Sequence, residues 1–131
     1  MLASRLVEEN EVYAAIGERG FRDLVAAFYR RIPQDPVLGP MYQGRDLTGA
    51  EDRLRGFLIY RFGGPPTYIE QRGHPRLRMR HAPFAVNEMA RDHWLQLMTA
   101  ALHETEMPAD AKSVLENFFR DTATFLINRP V

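Results

Sequence analysis

The chain has no cysteine, and that one absence removes disulfide frameworks, thiolate zinc sites, iron–sulfur clusters and cysteine nucleophiles together. Any metal is left to His, Asp, Glu, Tyr or Met. An excess of one charge is missing too: 17 Lys and Arg balance 17 Asp and Glu, so the field that nucleic-acid binders use is lacking and no nucleic acid is an expected partner. No apolar run approaches the roughly 20 residues that cross a bilayer, and the N-terminus turns polar and acidic by Glu8 without the apolar stretch of a secretory signal. No membrane partner is expected, and a cytoplasmic location follows by default. Motifs of hydrolases and nucleotide binders are absent: there is no G-x-S-x-G elbow and no paired-carboxylate context. Gly63-Gly64 runs into Pro65-Pro66, which blocks the helix start that a phosphate loop requires.

What is present is an ordinary globular composition, 45% hydrophobic and 26% charged, in a length that suits one domain spanning 1–131. Apolar residues recur at helical spacing. Phe21, Leu24, Val25, Phe28 and Ile32 mark a first helix closed by Pro33, and Pro36 and Pro40 around Gly39 leave room only for a short helical turn. Leu47, Ala50, Leu54, Phe57 and Leu58 mark a second helix that stops at Gly63-Gly64-Pro65-Pro66. From Thr67 to Pro83 the pattern predicts a loop with short helical pieces. Asn87 caps a third long helix through Ala90, Trp94, Leu97, Met98, Ala101 and Leu102. A fourth starts near Ala109, with Ala111, Leu115, Phe118, Thr122, Phe125 and Leu126 facing inward. Nothing alternates like a strand, so four main helices form an all-α domain.

Four histidines are the first candidates for chemistry. His93 and His103 each fall one position off an apolar stripe, about 100° round the helix, and are read as surface residues. His74, in Gly-His-Pro, is expected to bond nearby backbone. His81 differs: it ends an Arg-rich turn with Leu77 one helical turn before it, which aims the imidazole inward. A structural histidine near a surface loop explains the same context. No H-x-x-x-H or H-E-x-x-H spacing supports zinc, whereas an axial imidazole beneath a haem needs only one histidine. Tyr29, Tyr42 and Trp94 form a second group, each able to point a polar tip into an apolar cavity that then wants an acceptor. Ordinary core aromatics fit that spacing too.

Taken in order, Phe28-Tyr29, Leu38-Gly39-Pro40-Met41-Tyr42, Phe57-Leu58 running to Gly63-Gly64-Pro65, Tyr68, Gly73-His74-Pro75, Arg80-His81-Ala82-Pro83-Phe84 and Trp94 resemble the group II truncated haemoglobins from Phe21 to about Asn128. The resemblance implies an all-α truncated globin, a two-over-two helical sandwich around haem b (iron protoporphyrin IX). It makes His81 the proximal iron ligand and puts Tyr29, Tyr42 and Trp94 on the distal side, with Ala50 and Leu54 beside them. It also implies haem contacts from Leu54, Phe57, Leu77, Phe84 and Trp94, and contacts at the haem edge from Arg53, Tyr68 and Arg80. The family's glycine pair between its first two helices is here split as Gly17 and Gly20, so the resemblance does not set the packing of residues 1–20.

The function implied is reversible binding of dioxygen, or another diatomic gas, at a five-coordinate iron, in a monomer or homodimer. Two alternatives stand beside it. One is a haem enzyme that detoxifies nitric oxide or peroxide, with dioxygenase-like or peroxidase-like activity and an external electron-donating reductase. The other is a cofactor-free helical interaction module.

Overall fold

Phe21, Leu24, Val25, Phe28 and Ile32, the residues whose spacing marks the first helix, are all fully buried. The burial of each such side chain contributes about 1.5–3 kcal/mol, and together they fix which face of the helix turns inward. The computed structural model describes residues 7–81 and 86–129, without the side chains of Arg78 and Arg80. Within those limits the helices are α1 (Val12–Arg31), α2 (Leu38–Tyr42), α3 (Leu47–Arg61), α4 (Thr67–Arg72), α5 (Leu77–His81), α6 (Glu88–Glu104) and α7 (Ala109–Phe125). The four long ones are the four expected from the sequence. The segment from Thr67 resolves into the two short helices α4 and α5, while Pro83 lies outside the described residues.

α1 packs against both α3 and α6, and α6 packs against α7. The two pairs, α1 with α3 and α6 with α7, make an all-α fold, and a shared core of Phe, Leu, Val and Met side chains lies between them. Gly17 bends α1, with φ 69 and ψ −179, a conformation that glycine adopts without steric strain. The bend lets Tyr13 stack against Phe21, ring centroids 6.4 Å apart, which seats the start of the helix on the core. At the other end of α3, Gly63 has φ 97, and a Cβ there would lie 1.9 Å from the Asn10 carbonyl oxygen. Only glycine lets the chain pass that close. The Tyr13 N–H then donates to the Phe62 carbonyl at 2.9 Å, tying α1 to the stop of α3.

One cap, Asn87, follows the sequence reading, and Asp46 supplies a second. Asn87 Oδ1 accepts from the Ala90 N–H at 2.8 Å, and Asp46 Oδ1 accepts from the Gly49 N–H at 2.9 Å, so each satisfies a donor that a helix start leaves free. Two expectations are corrected. Phe125, expected to face inward, is 54% exposed. It is the last residue of α7 and lies about 100° round the helix from Leu126, which lines the cavity below. His93, expected at the surface, is half-buried, and its Nδ1 lies 3.0 Å from Asp35 Oδ1. That partner is 58 positions away in the chain, beyond the reach of a helical-wheel argument. His103 is exposed, and His74 Nδ1 accepts from the Arg76 N–H at 3.2 Å, as expected of both.

Candidate functional site

The helices enclose a cavity of about 300 Å³, within the size range of small-molecule and cofactor sites. Each long helix contributes to its wall. Tyr29 reaches it from α1, Tyr42 from α2, Ala50, Arg53, Leu54 and Phe57 from α3, Tyr68 from α4, and Trp94 from α6. Leu77 and His81 bring α5 to the same space. Every site residue expected from the sequence and described in the structure therefore meets in one place. Phe84 and the side chain of Arg80 lie outside the described residues.

His81 is half-buried, and its Nδ1 lies 2.9 Å from the Leu77 carbonyl oxygen. A carbonyl oxygen can only accept, so Nδ1 carries a proton, and in the neutral ring Nε2 is then the nitrogen with the lone pair. The i, i+4 spacing that aims the ring inward is also what brings this acceptor within reach. Among the described residues no group of three or more His, Asp or Glu is arranged to hold a metal ion. Of the described histidines, only His81 lines the cavity.

The other polar tips are donors. The Tyr29 ring meets Tyr42 edge-on at 6.2 Å and Phe28 edge-on at 5.1 Å, and Trp94 lies 5.0 Å from Phe28 and 5.6 Å from Phe119. Burial, reinforced by Tyr42, pushes the Tyr29 phenol well above its ordinary pKa, against the opposing charge of Arg53. Burial raises Tyr42 as well, with Arg45 opposing. Both hydroxyls stay protonated at any physiological pH. Among the described residues, neither the Tyr29 hydroxyl nor the Trp94 indole N–H donates to another protein group. Buried Tyr and Trp donors normally find an acceptor, and these two line a cavity instead.

Comparison with known proteins decides what the cavity belongs to. A family model described as bacterial-like globin matches residues 11–128. The chain is 36% identical over 120 residues to group 2 truncated hemoglobin YjbI of Bacillus subtilis, covering 92% of this chain and 90% of that protein. The chain belongs to the bacterial-like globins, as a group II truncated haemoglobin. Solved truncated haemoglobins and their relatives agree in fold. The hemoglobin of Chloroflexus aurantiacus superimposes with a TM-score of 0.86 at 49% identity, over 90% of this chain and 98% of that one. The truncated oxygen-avid haemoglobin of Bacillus subtilis does so with a TM-score of 0.84 at 36% identity, over 89% and 98%.

Membership of the truncated haemoglobins implies haem-based binding of a diatomic ligand. The residues present fit that group: the cavity is mainly apolar, the His81 ring borders it, and Arg53 and Arg91 stand at its wall. Arg91 was missed in the sequence. It lies three positions before Trp94, on the same helical face, but reads there as one more solvated arginine. Its side chain is only 18% exposed and donates to Thr124 Oγ1 at 2.9 Å. Phe118, Thr122 and Leu126 of the last helix line the cavity as well. Their i, i+4, i+8 stripe is visible in the sequence, where it signals core and gives no sign that the core is hollow there. No described helix of this truncated haemoglobin is long and apolar enough to cross a membrane.

Proposed function

We propose that the cavity holds one haem b with His81 Nε2 as the axial ligand, and that dioxygen or another small diatomic gas binds reversibly on the other face against Tyr29, Tyr42 and Trp94. The observation that carries this reading is the meeting of two unlike requirements in one apolar cavity. A half-buried imidazole has its proton engaged by the Leu77 carbonyl, and two cavity-facing donors, Tyr29 and Trp94, have no acceptor among the described residues. A bound haem would be held by His81 and would supply an iron that takes up a diatomic gas.

The chain's own residues do the rest. The Nδ1–H bond of His81 fixes the tautomer and the plane of the ring and keeps Nε2 basic. Tyr29, Tyr42 and Trp94 offer hydrogen bonds to a guest that has gained negative charge. Each bond to a charged acceptor contributes about 1.5–3 kcal/mol, or about one to two decades in affinity. Ala50 leaves its part of the α3 wall unobstructed, with Leu54 one turn on. Leu54, Phe57 and Leu77 supply apolar contact to the ring, and Arg53 and Tyr68 supply donors for its carboxylates.

Tight holding of dioxygen makes a poor carrier and suits redox use of the bound gas. The name of the oxygen-avid relative from Bacillus subtilis supports the second reading, a nitric oxide or peroxide detoxifying enzyme served by an external reductase. The deciding experiment is absorption spectroscopy of the haem-loaded protein, ferrous, then with carbon monoxide, then with dioxygen. The expected result is a five-coordinate ferrous spectrum that converts fully and reversibly with each gas. A six-coordinate ferrous spectrum indifferent to both gases contradicts the proposal. Rapid mixing of the oxygenated protein with nitric oxide, followed by a reductase-coupled turnover assay, separates the binding and enzymatic readings.

A further inference from the structure

The imidazole that faces the cavity stands at the end of a helix too short to hold itself in place. α5 has five residues, far below the length at which a helix is stable on its own in water. The position of His81 therefore rests on tethers. One is local, the bond from His81 Nδ1 to the Leu77 carbonyl. The other comes from beyond the end of α7. Asn128 Nδ2 donates to the His81 carbonyl oxygen at 3.2 Å, and Asn128 Oδ1 accepts from the Val86 N–H at 2.9 Å. The Asn128 N–H in turn donates to the Val86 carbonyl at 2.8 Å, and the Arg129 N–H donates to the same oxygen at 3.1 Å.

One side chain thus joins positions 81 and 86, which lie on either side of the α5–α6 connection. The orientation of its amide follows from its partners: an N–H can only donate and a carbonyl can only accept, so oxygen faces Val86 and nitrogen faces His81. The His81 carbonyl closes α5, where a helix leaves its last acceptors unpaired. Asn128 satisfies it with the one functional group that donates and accepts in the same plane. Aspartate lacks the donor, leucine lacks both, and glutamine keeps both but sets them one methylene further out.

We propose that Asn128 is a positioning residue for His81, clamping the end of α5 so that the ring nitrogen points at the cavity with a fixed orientation. The clamp rests on the reading of His81 as the axial ligand. It also ties that ligand to Thr122 and Leu126, which line the cavity just before Asn128. A loosened clamp lets the imidazole tilt, which weakens its bond to the iron without touching the Tyr29 and Trp94 side.

The test uses the haem-loaded ferrous protein as wild type, Asn128→Leu, Asn128→Asp and Asn128→Gln. Three quantities are read: the iron–imidazole stretching band by resonance Raman, the rate of hemin transfer to excess apomyoglobin, and the C–O stretch of the carbon monoxide form. Leu and Asp are expected to shift or broaden the iron–imidazole band and to speed hemin loss about tenfold, as loss of an outer-shell partner does at other metal ligands. The C–O stretch, which reports the Tyr29 and Trp94 side, stays in place. Gln gives a smaller shift in the same direction, and it decides the matter if the other two variants fail to fold. An iron–imidazole band and hemin-loss rate equal to wild type in the variants that fold overturns the clamp. A band that disappears in His81→Gly yet ignores Asn128 sinks the clamp alone, whereas a wild-type protein with no such band sinks the ligand assignment beneath it.

Discussion

The two sides of the cavity are built by different means. Tyr29 and Trp94 stand on helices of 20 and 17 residues, and the ring between them, Phe28, is fully buried. Their directions are set by close packing, which resists any change of volume. His81 stands on a five-residue helix preceded by Arg76 at φ 47, with Met79 on the same turn 60% exposed. Its direction is set by two hydrogen-bonded tethers, to the Leu77 carbonyl and to Asn128. A change of volume should therefore damage the donor side, and a change of polarity should damage the imidazole side.

Phe28→Ala breaks the comparison most directly, because it removes the ring that holds both donors. It should lower stability by about 3–5 kcal/mol, read by urea unfolding of the haem-loaded protein, and should spread the C–O stretch of the carbon monoxide form into several bands. A single sharp band with unchanged stability would show that packing does not direct the donors. Trp94→Phe keeps most of the volume and removes only the N–H. Dioxygen should leave about 10–100 times faster by stopped flow, equivalent to the loss of one bond of about 1.5–3 kcal/mol to a charged acceptor. Tyr29→Phe should act in the same direction.

The donor side contains one polar joint, and it yields a pH test. The side chain of Asp35 is 7% exposed and accepts from the backbone N–H groups of Val37 and Leu38 at 3.0 and 2.8 Å, which starts α2. Desolvation alone would raise its pKa, but the Leu38 N–H, His93 and the Val37 N–H outweigh that, and the carboxyl lies below its ordinary value. A lowered folded-state pKa means that its stabilisation is fully present above the unfolded value of about 3.9 and is lost as pH falls below that, through the folded value. Wild type should thus lose stability through that acid window, and Asp35→Asn should start about 1 kcal/mol lower, one hydrogen bond's worth, with a flatter acid limb. Parallel acid limbs would remove Asp35 from this role. The smallest effect belongs to the α3 cap: Asp46→Ala should cost about 1 kcal/mol in urea unfolding and leave gas dissociation unchanged.

The same division explains what could be read before any coordinates. Tyr29 and Trp94 are legible because they sit on long periodic helices, and the burial of Phe21, Leu24, Val25, Phe28 and Ile32 follows from spacing alone. Gly63-Gly64 is legible as a stop, though that Gly63 must pass under the Asn10 carbonyl is a long-range fact. His81 and Leu77 are legible as an i, i+4 pair. What escaped were contacts between distant positions and the hollow itself. His93 looked solvated because Asp35 is remote in sequence, Asn128 carried no signal because its partners are at 81 and 86, and Arg91 did not stand out among the other arginines. Phe125 failed for a local reason: it fits the apolar spacing but lies off the face that Phe118, Thr122 and Leu126 turn to the cavity.

Titrating hemin into wild type and His81→Gly side by side, with the absorption of the bound porphyrin as readout, tests the assignment of His81 most directly. Wild type should take up one equivalent tightly, while His81→Gly should bind far more weakly and recover when free imidazole is added. A wild-type protein that refuses hemin, or a glycine variant that binds it equally well without imidazole, would contradict the assignment.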